Sequence, residues 1–444
     1  MSTAITLKQI NKLAIPALIA GVSEPILSLT DAAIIGNMEQ NATTSLAAVG
    51  IVTTFLSMLI WVLGQTRSAI SSIISQYLGA GNVEAVKNLP AQAIFVITTL
   101  SLIIIAVTYP LASHIFKLYN ASGDILNYSV DYYQIRVFGF PFTLFTIAVF
   151  GTFRGLQNTY FPMLIAISGA LANIILDFVF VYGIEGYIPA MHIKGAAYAS
   201  VIAQLIMALL SAYYLLKKTD IPLIAKLPFN PEMKRFALMI LNLFIRTIAL
   251  NIALYFGTSF ATKYGESYIA AYTIAINLWF LGAFLIDGYA SAGNILSGKL
   301  FGAKDYKSLL ELSNKLIKYG IFVGLFIGVI GAVFYYPLGN LFSNDENVLK
   351  EFYKVFWIVL VMQPLCALAF IFDGVFKGLG KMKYLRNVLL FSTLVIFVPV
   401  IFWVDNLDYK LYGIFIAFTL WMIARGLPLI IKFRKTFIPL VQNT

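Results

Sequence analysis

Long apolar stretches, each closed by polar residues, proline or glycine, run through the whole of this 444-residue chain. Most of them reach the roughly 20 residues that a helix needs to cross the hydrocarbon core of a bilayer. An apolar stretch of this length indicates a membrane-spanning helix. The pattern predicts twelve such helices, at roughly residues 13–36, 44–78, 89–116, 128–153, 160–183, 195–216, 236–262, 267–298, 314–342, 349–376, 385–404 and 411–431.

The composition agrees with this pattern and excludes several classes of function. Hydrophobic residues make up 60% of the chain and charged residues 11%, and the mean hydropathy is +0.85. We therefore predict an all-α integral membrane protein. Two histidines and one cysteine leave no material for a His/Cys metal site or a disulfide framework. Because no nucleotide-binding or hydrolase motif is present, we expect neither an enzyme nor a bound cofactor.

The net charge of +11 arises from 31 Lys and Arg against 20 Asp and Glu. Most of the basic residues fall in alternate loops and adjoining helix ends, which marks those loops as cytoplasmic. Both termini are then expected in the cytoplasm, and nucleic-acid binding is not needed to explain the charge. His114 and His192 fall near the ends of outer loops and are expected at the surface.

The two halves of the sequence resemble each other. Phe153–Leu156 (FRGL) and Phe376–Leu379 (FKGL) are separated by the same distance as Gly79-Ala80 and Gly302-Ala303, and that distance is close to half the chain. A shared offset of this size predicts two parallel six-helix repeats. We therefore expect two pseudo-symmetric bundles.

The predicted domain boundaries follow from that repeat. The N-lobe comprises residues 1–218 with helices 1–6, and the C-lobe comprises residues 236–444 with helices 7–12. The stretch between them, residues 219–235, is basic and rich in proline. It is expected to be a cytoplasmic linker.

Several charged residues fall away from the ends of the predicted helices. Charges at bilayer depth are costly unless they are protonated, paired, hydrated or bound to an ion, so each one is a candidate functional residue. The acids are Glu24, Asp31, Asp177, Asp287 and Asp373, and the bases are Arg67, Arg246 and Arg425.

Asp31 and Asp177 are the strongest candidates for an ion site. Asp31 follows Pro25, which is expected to bend the first helix because proline removes a backbone donor. Asn173 precedes Asp177 by one helical turn, so the two side chains share a face. With the Ser200 hydroxyl, these oxygens suit Na⁺ at Asp31, Asn173 and Asp177, or a shared proton. A purely structural hydrogen-bonded pair is the alternative.

The other polar residues have more than one interpretation. Gln204 lies one turn beyond the serine of the sixth helix and is a possible cavity residue. Asp287 and Asp373 both precede glycine, and they either line a cavity that attracts cations or pair with Arg246. The orientation of Glu24 is open.

Motifs in both halves resemble the multidrug and toxic compound extrusion (MATE) transporters, and most closely their DinF-like branch. In the first half these are LAIPALIAGVSEPILSLTDAAIIGNM, RGLQNTYFPM, NIILDFVFVYG and GAAYASVIAQ. In the second half they are AINLWFLGAFLIDGYASAG, FGAKD and LCALAFIFDGVFKGLGKMKYLRN. The resemblance covers nearly the whole chain.

This resemblance implies a monomeric twelve-helix antiporter of the bacterial inner membrane, with two lobes forming a V around a central cavity. Such a protein exports lipophilic or cationic small molecules in exchange for H⁺ or Na⁺. Asp31 matches the family's first-helix acid, and Asn173 and Asp177 match its fifth-helix pair. Ser200 stands where the family often has threonine, and Asp287 and Asp373 match Asp-Gly motifs of the second lobe.

Some positions depart from the family pattern. Glu24 replaces a commonly apolar residue. Ile240, Leu241 and Asn242 replace an Asn-Arg-Asp run, and Asn294 stands where a glutamate is usual. Because these changes remove acidic groups from the second lobe, they favour ion coupling in the first lobe.

Other functions remain as alternatives at this stage. A flippase for a lipid-linked or amphipathic substrate belongs to the same broad superfamily, but is expected to have a more basic cavity. A membrane enzyme needs a clustered reactive set, which the sequence lacks. A passive channel normally carries pore rings from several subunits.

Overall fold

The structure is a computed structural model that describes residues 5–38 and 41–442, apart from the side chains of residues 23–29 and 32. The first long helix, α1, is Leu7–Gly36. Eleven further helices in the described part are long and apolar enough to cross a membrane: α2 Ala42–Gly79, α3 Val83–Thr108, α4 Gly123–Gly155, α5 Tyr160–Tyr182, α6 His192–Lys218, α7 Glu232–Tyr264, α8 Glu266–Gly302, α9 Tyr306–Val333, α10 Glu346–Gly378, α11 Met382–Asn406 and α12 Lys410–Gln442. Two short helices, Ala112–Leu118 and Tyr335–Phe342, lie in connections.

The helices α2, α4 and α11 are interrupted near glycine or proline residues. In α2 the break falls at Gly64, where a Cβ atom would lie 2.5 Å from the carbonyl oxygen of Ile60. In α4 a 3-10 turn at Val137–Gly139 precedes Pro141, and in α11 a π-helical segment at Ser392–Phe397 precedes Pro399. Proline removes one backbone donor and clashes with the carbonyl four residues earlier, which loosens the turn before it.

The described residues form two compact units. The first unit consists of Ile19–Ile74 and Asn82–Ala237, and the second consists of the described parts of Met1–Leu18, Ser75–Gly81 and Leu238–Thr444. The beginning of α1 and the end of α2 therefore pack with the second unit, although they belong to the first half of the sequence.

In the first unit, α5 packs along α6, and α4 contacts α2, α3 and α6. Three buried aromatic rings pack together between α2, the short helix Ala112–Leu118 and α4. Phe116 lies edge-on to Phe55 and to Tyr133, with ring centroids 6.1 and 5.3 Å apart. Edge-to-face contacts at this separation add stabilisation beyond the area that the rings bury. These ring contacts hold α4 in place, and polar residues follow later in the same helix.

In the second unit, α10 is the central helix and packs against α8, α9 and α12. Small residues allow α8 and α10 to approach closely. A Cβ atom on Gly374 would lie 2.1 Å from the carbonyl oxygen of Ala290, and one on Gly378 would lie 2.2 Å from that of Asn294. Close backbone contact through small residues is the usual basis of helix association in membranes.

The repeated glycines of the two halves meet inside the second unit. A Cβ atom on Gly79 would lie 1.8 Å from the carbonyl oxygen of Lys299, and one on Gly302 would lie 1.8 Å from that of Gln76. The contact is reciprocal, because the ends of α2 and α8 cross at equivalent positions. The repeat in the sequence therefore preserves two glycines whose missing side chains let the helix ends touch.

This crossing gives a prediction for stability. We expect Gly79→Ala to lower the free energy of unfolding by roughly 1–3 kcal/mol or more, because the new methyl group meets rigid backbone. The same change at Gly50, in the middle of α2, has no described atom within 4 Å of the new carbon and is expected to be neutral or slightly stabilising. Thermal unfolding of both variants in detergent measures the difference. Equal melting temperatures for both would contradict the packing described here.

Candidate functional site

Asp31, Asn173 and Asp177 come together in the first unit. The Asn173 side chain donates hydrogen bonds from Nδ2 to Asp31 Oδ1, at 3.1 Å, and to Asp177 Oδ2. Asp177 is fully buried and Asn173 is 4% exposed, while Asp31 is partly buried. One amide group therefore holds two carboxyl groups from different helices, because the four-residue spacing on α5 places two of the three side chains on one face.

Some oxygen atoms around this group are not satisfied. Ser200, which is 1% exposed, lies beside the carboxyl group of Asp31. Within the described part of the chain, Asp177 Oδ1 and Ser200 Oγ have no hydrogen-bond partner. Leaving a buried polar atom unsatisfied costs about 1–3 kcal/mol, a cost that a proton or cation shared by these oxygens would remove.

The chemistry of the oxygen atoms limits which ligands fit this group. Two neighbouring carboxylates repel each other, and a shared proton or a bound cation removes that repulsion. Carboxylate, amide and hydroxyl oxygens are also the ligands that hard cations prefer. The group is therefore suited chemically to a proton or to Na⁺.

A second polar group adjoins the first, and of its members only Gln204 was a candidate from the sequence. Arg136 donates from Nη1 to Gln204 Oε1 at 2.8 Å and lies close enough to the carboxyl pair to act on it electrostatically. Tyr132, one turn earlier, is 1% exposed. A Cβ atom on Gly139 would lie 1.7 Å from Gln204 Oε1, so a side chain there would displace the Gln204 amide. The sequence signal that could have revealed this group was the helical spacing of Tyr132, Arg136 and Gly139 ahead of Pro141.

The second unit holds a different arrangement around Asp373. Its Oδ1 atom accepts a hydrogen bond from Arg246 Nη2 at 2.5 Å and lies 3.8 Å from Arg425 Nη2. Its Oδ2 atom lies 3.0 Å from Lys377 Nζ. One carboxylate from α10 thus contacts three cationic side chains, and its charge is engaged by them. Asp287 differs, because its side chain is exposed and forms no ion pair with a described residue.

The side chains of two predicted residues lie outside the described part of the structure. The backbone of α1 is helical through Glu24 and Pro25, but their side chains are among those not described. The helix-bending role of Pro25 and the orientation of Glu24 stay predictions. His114 and His192 are exposed. Among the described residues, no group of three or more His, Cys, Asp or Glu side chains is placed to hold a metal ion.

Comparison with known families gives matches in both halves of the chain. The family model described as MatE matches residues 16–179 and 243–403. Protein DETOXIFICATION 42 of Arabidopsis thaliana is 26% identical, over 94% of this chain and 90% of its own length. DNA damage-inducible protein F of Escherichia coli (strain K12) is 24% identical, over 96% of this chain and 92% of its own length.

Solved structures show the same fold. A crystal structure of MATE in the bent conformation superimposes with a TM-score of 0.89 at 22% identity, covering 98% of this chain and 96% of its own. The Vibrio cholerae MATE transporter VcmN in the bent form gives a TM-score of 0.88 at 20% identity, with 97% of each chain covered. The predicted all-helical membrane fold is thereby confirmed.

Proposed function

We propose that this chain, which belongs to the MatE family of multidrug efflux transporters, exports lipophilic or cationic small molecules in exchange for H⁺ or Na⁺. Membership in the family confirms the resemblance found in the sequence motifs. At the level of the family, such a protein is a transporter and not an enzyme. The coupling ion, its site and the substrate class are the proposed parts.

One observation carries the proposal for the ion site. Asp31, Asn173 and Asp177 converge in a buried place, and the Asp177 Oδ1 and Ser200 Oγ atoms have no partner among the described residues. In the proposal, a proton or Na⁺ binds to the carboxyl pair, with the serine hydroxyl as a further ligand. Asn173 keeps the two carboxyl groups adjacent whether or not the ion is bound.

The coupling rests on opposite preferences of ion and substrate. A ligand shifts the balance between two conformations only by binding them with different affinity. We propose that the ion at the Asp31 site and the exported molecule favour opposite access states. A membrane potential supplies about 2.3 kcal/mol per 100 mV for each net charge that the exchange moves, and an exchange that moves no net charge is driven by the concentration gradient of the coupling ion.

The proposal includes the organisation of the chain in the membrane. Residues 1–218 and 236–444 form the two lobes of a monomer in a bacterial inner membrane, and residues 219–235 link them in the cytoplasm. The excess of basic residues in alternate loops supports cytoplasmic termini. The long helices on either side of the linker end at Lys218 and begin at Glu232.

Transport by the purified protein tests this function. Vesicles containing the protein are loaded with a fluorescent lipophilic cation such as ethidium, and a pH gradient or a Na⁺ gradient is imposed separately. We expect export that follows one of the two gradients and identifies the coupling ion. Export at the same rate with no gradient, or no export under either, would contradict the proposal.

A further inference from the structure

The ion-pair cluster of the second unit carries more positive than negative charge. Arg246, Lys377 and Arg425 all face the single carboxylate of Asp373. Arg246, Asp373 and Arg425 are each 5% exposed. A buried charge without a counter-ion costs several kcal/mol, so a cluster with two surplus positive charges favours a further anion.

The two guanidinium groups also have unused donors. Arg246 Nε and Arg425 Nε are buried, and neither has an acceptor among the described residues. The Arg425 guanidinium lies over the rings of Phe370 and Trp421, 5.1 and 5.6 Å from their centroids. Stacking on aromatic faces holds a guanidinium in place and leaves its N–H edge available for an acceptor.

The cluster is not sealed from water. The side chain of Lys377 is 18% exposed. The exposed carboxylate of Asp287 lies near enough to interact with it. Because Asp287 belongs to the interior of the membrane-spanning helix α8, an exposed charge at that position requires an aqueous surface rather than lipid. Solvent screens an exposed carboxylate, so Asp287 offsets only part of the positive charge of the cluster.

We infer that Arg246, Lys377 and Arg425 form a binding site for an oxyanion, a carboxylate or phosphate group. Guanidinium groups bind such groups through paired hydrogen bonds with a matching planar geometry. The oxyanion would accept from the unused Nε donors and neutralise the surplus charge that Asp373 leaves. The source is either a soluble small anion or a lipid headgroup. In the proposed transporter, on which this point rests, a soluble ligand at this site extends the cargo to molecules with an acidic group.

Anion binding is measured without an ion gradient. A negative result can therefore be distinguished from a failure of the proposed transport function. The purified protein in detergent is titrated with succinate and with inorganic phosphate, against chloride at equal ionic strength, and the melting temperature is followed. A second arm compares nanodiscs of phosphatidylcholine with nanodiscs that also contain phosphatidic acid. Stabilisation by the soluble anions assigns a soluble ligand, and stabilisation by phosphatidic acid alone assigns a lipid headgroup.

Variants separate a specific site from a general effect of salt. We expect Arg425→Gln to weaken the stabilising anion about tenfold or more, because a charge-assisted bidentate contact is lost. Arg154→Gln is the matched control, since Arg154 is also 5% exposed and occupies the position in the first repeat that corresponds to Lys377. It is expected to keep the response.

A second variant keeps the test decisive if Arg425→Gln does not fold. Asp287→Asn removes a negative charge beside Lys377 and is expected to tighten anion binding about two- to fivefold, as for a partly screened charge pair. Equal responses in Arg425→Gln and Arg154→Gln, weaker binding in Asp287→Asn, or no response in either arm would overturn the inference.

Discussion

Replacing Asp31 by asparagine is expected to abolish gradient-driven export, to the level of vesicles without protein. The amide has the shape of the carboxyl group and still fits beside Asn173, but it neither accepts a proton nor neutralises Na⁺. The ion would then bind both access states equally weakly, and a ligand that does not distinguish two states cannot shift them. Export of ethidium from vesicles under the coupling gradient measures this loss.

The matched control for this prediction is Asp124→Asn. Asp124 is an exposed acid at the start of α4, and its replacement is expected to leave export unchanged. The melting temperature of Asp31→Asn should stay close to that of the wild type, which separates lost coupling from lost folding. Normal export by Asp31→Asn, with normal dependence on the gradient, would remove Asp31 from the coupling mechanism.

Replacing Asp373 by asparagine is expected to destabilise the protein by about 3–5 kcal/mol, the usual cost of removing one partner from a buried ion pair. Arg246 and Arg425 would keep their buried positive charges, and the only carboxylate that contacts them in the described structure would be gone. Unfolding of the purified variant in detergent, by heat or denaturant, measures the change.

The comparison for Asp373→Asn is Glu311→Gln. Glu311 pairs with Lys315 at 2.6 Å, and its side chain is 38% exposed. An ion pair with that exposure contributes about 0–1 kcal/mol, so we expect a small change. If the two variants were equally stable, Asp373 would not be the counter-ion that holds α7, α10 and α12 together.

The long helices were predictable because a membrane span requires an apolar stretch of fixed length. The ends of these helices were less predictable. We predicted that the first helix begins near residue 13 and that the last ends near residue 431, whereas α1 is Leu7–Gly36 and α12 is Lys410–Gln442. Polar residues continue a helix beyond the apolar stretch, since their backbone hydrogen bonds do not depend on hydropathy.

In the candidate site, too, contacts between residues close in sequence were predictable, and contacts between distant residues were not. The pairing of Asn173 with Asp177 follows from a spacing of one helical turn, and the family motif pointed to Asp31. Arg136 falls near the start of the predicted helix at residues 128–153 and was not a candidate, because basic residues near helix ends usually lie at the membrane surface. Nothing local in the sequence indicates that Arg246 and Arg425, from separate helices, contact the same carboxylate.

Ion movement driven by the exported molecule tests the central claim most directly. Vesicles containing the protein receive an outward gradient of ethidium with no ion gradient, and the pH and Na⁺ concentration inside are recorded. The account predicts that the efflux of ethidium drives uptake of one ion in the wild type and in Asp124→Asn, and no uptake in Asp31→Asn. Efflux without ion uptake in the wild type, or equal ion uptake in Asp31→Asn, would contradict it.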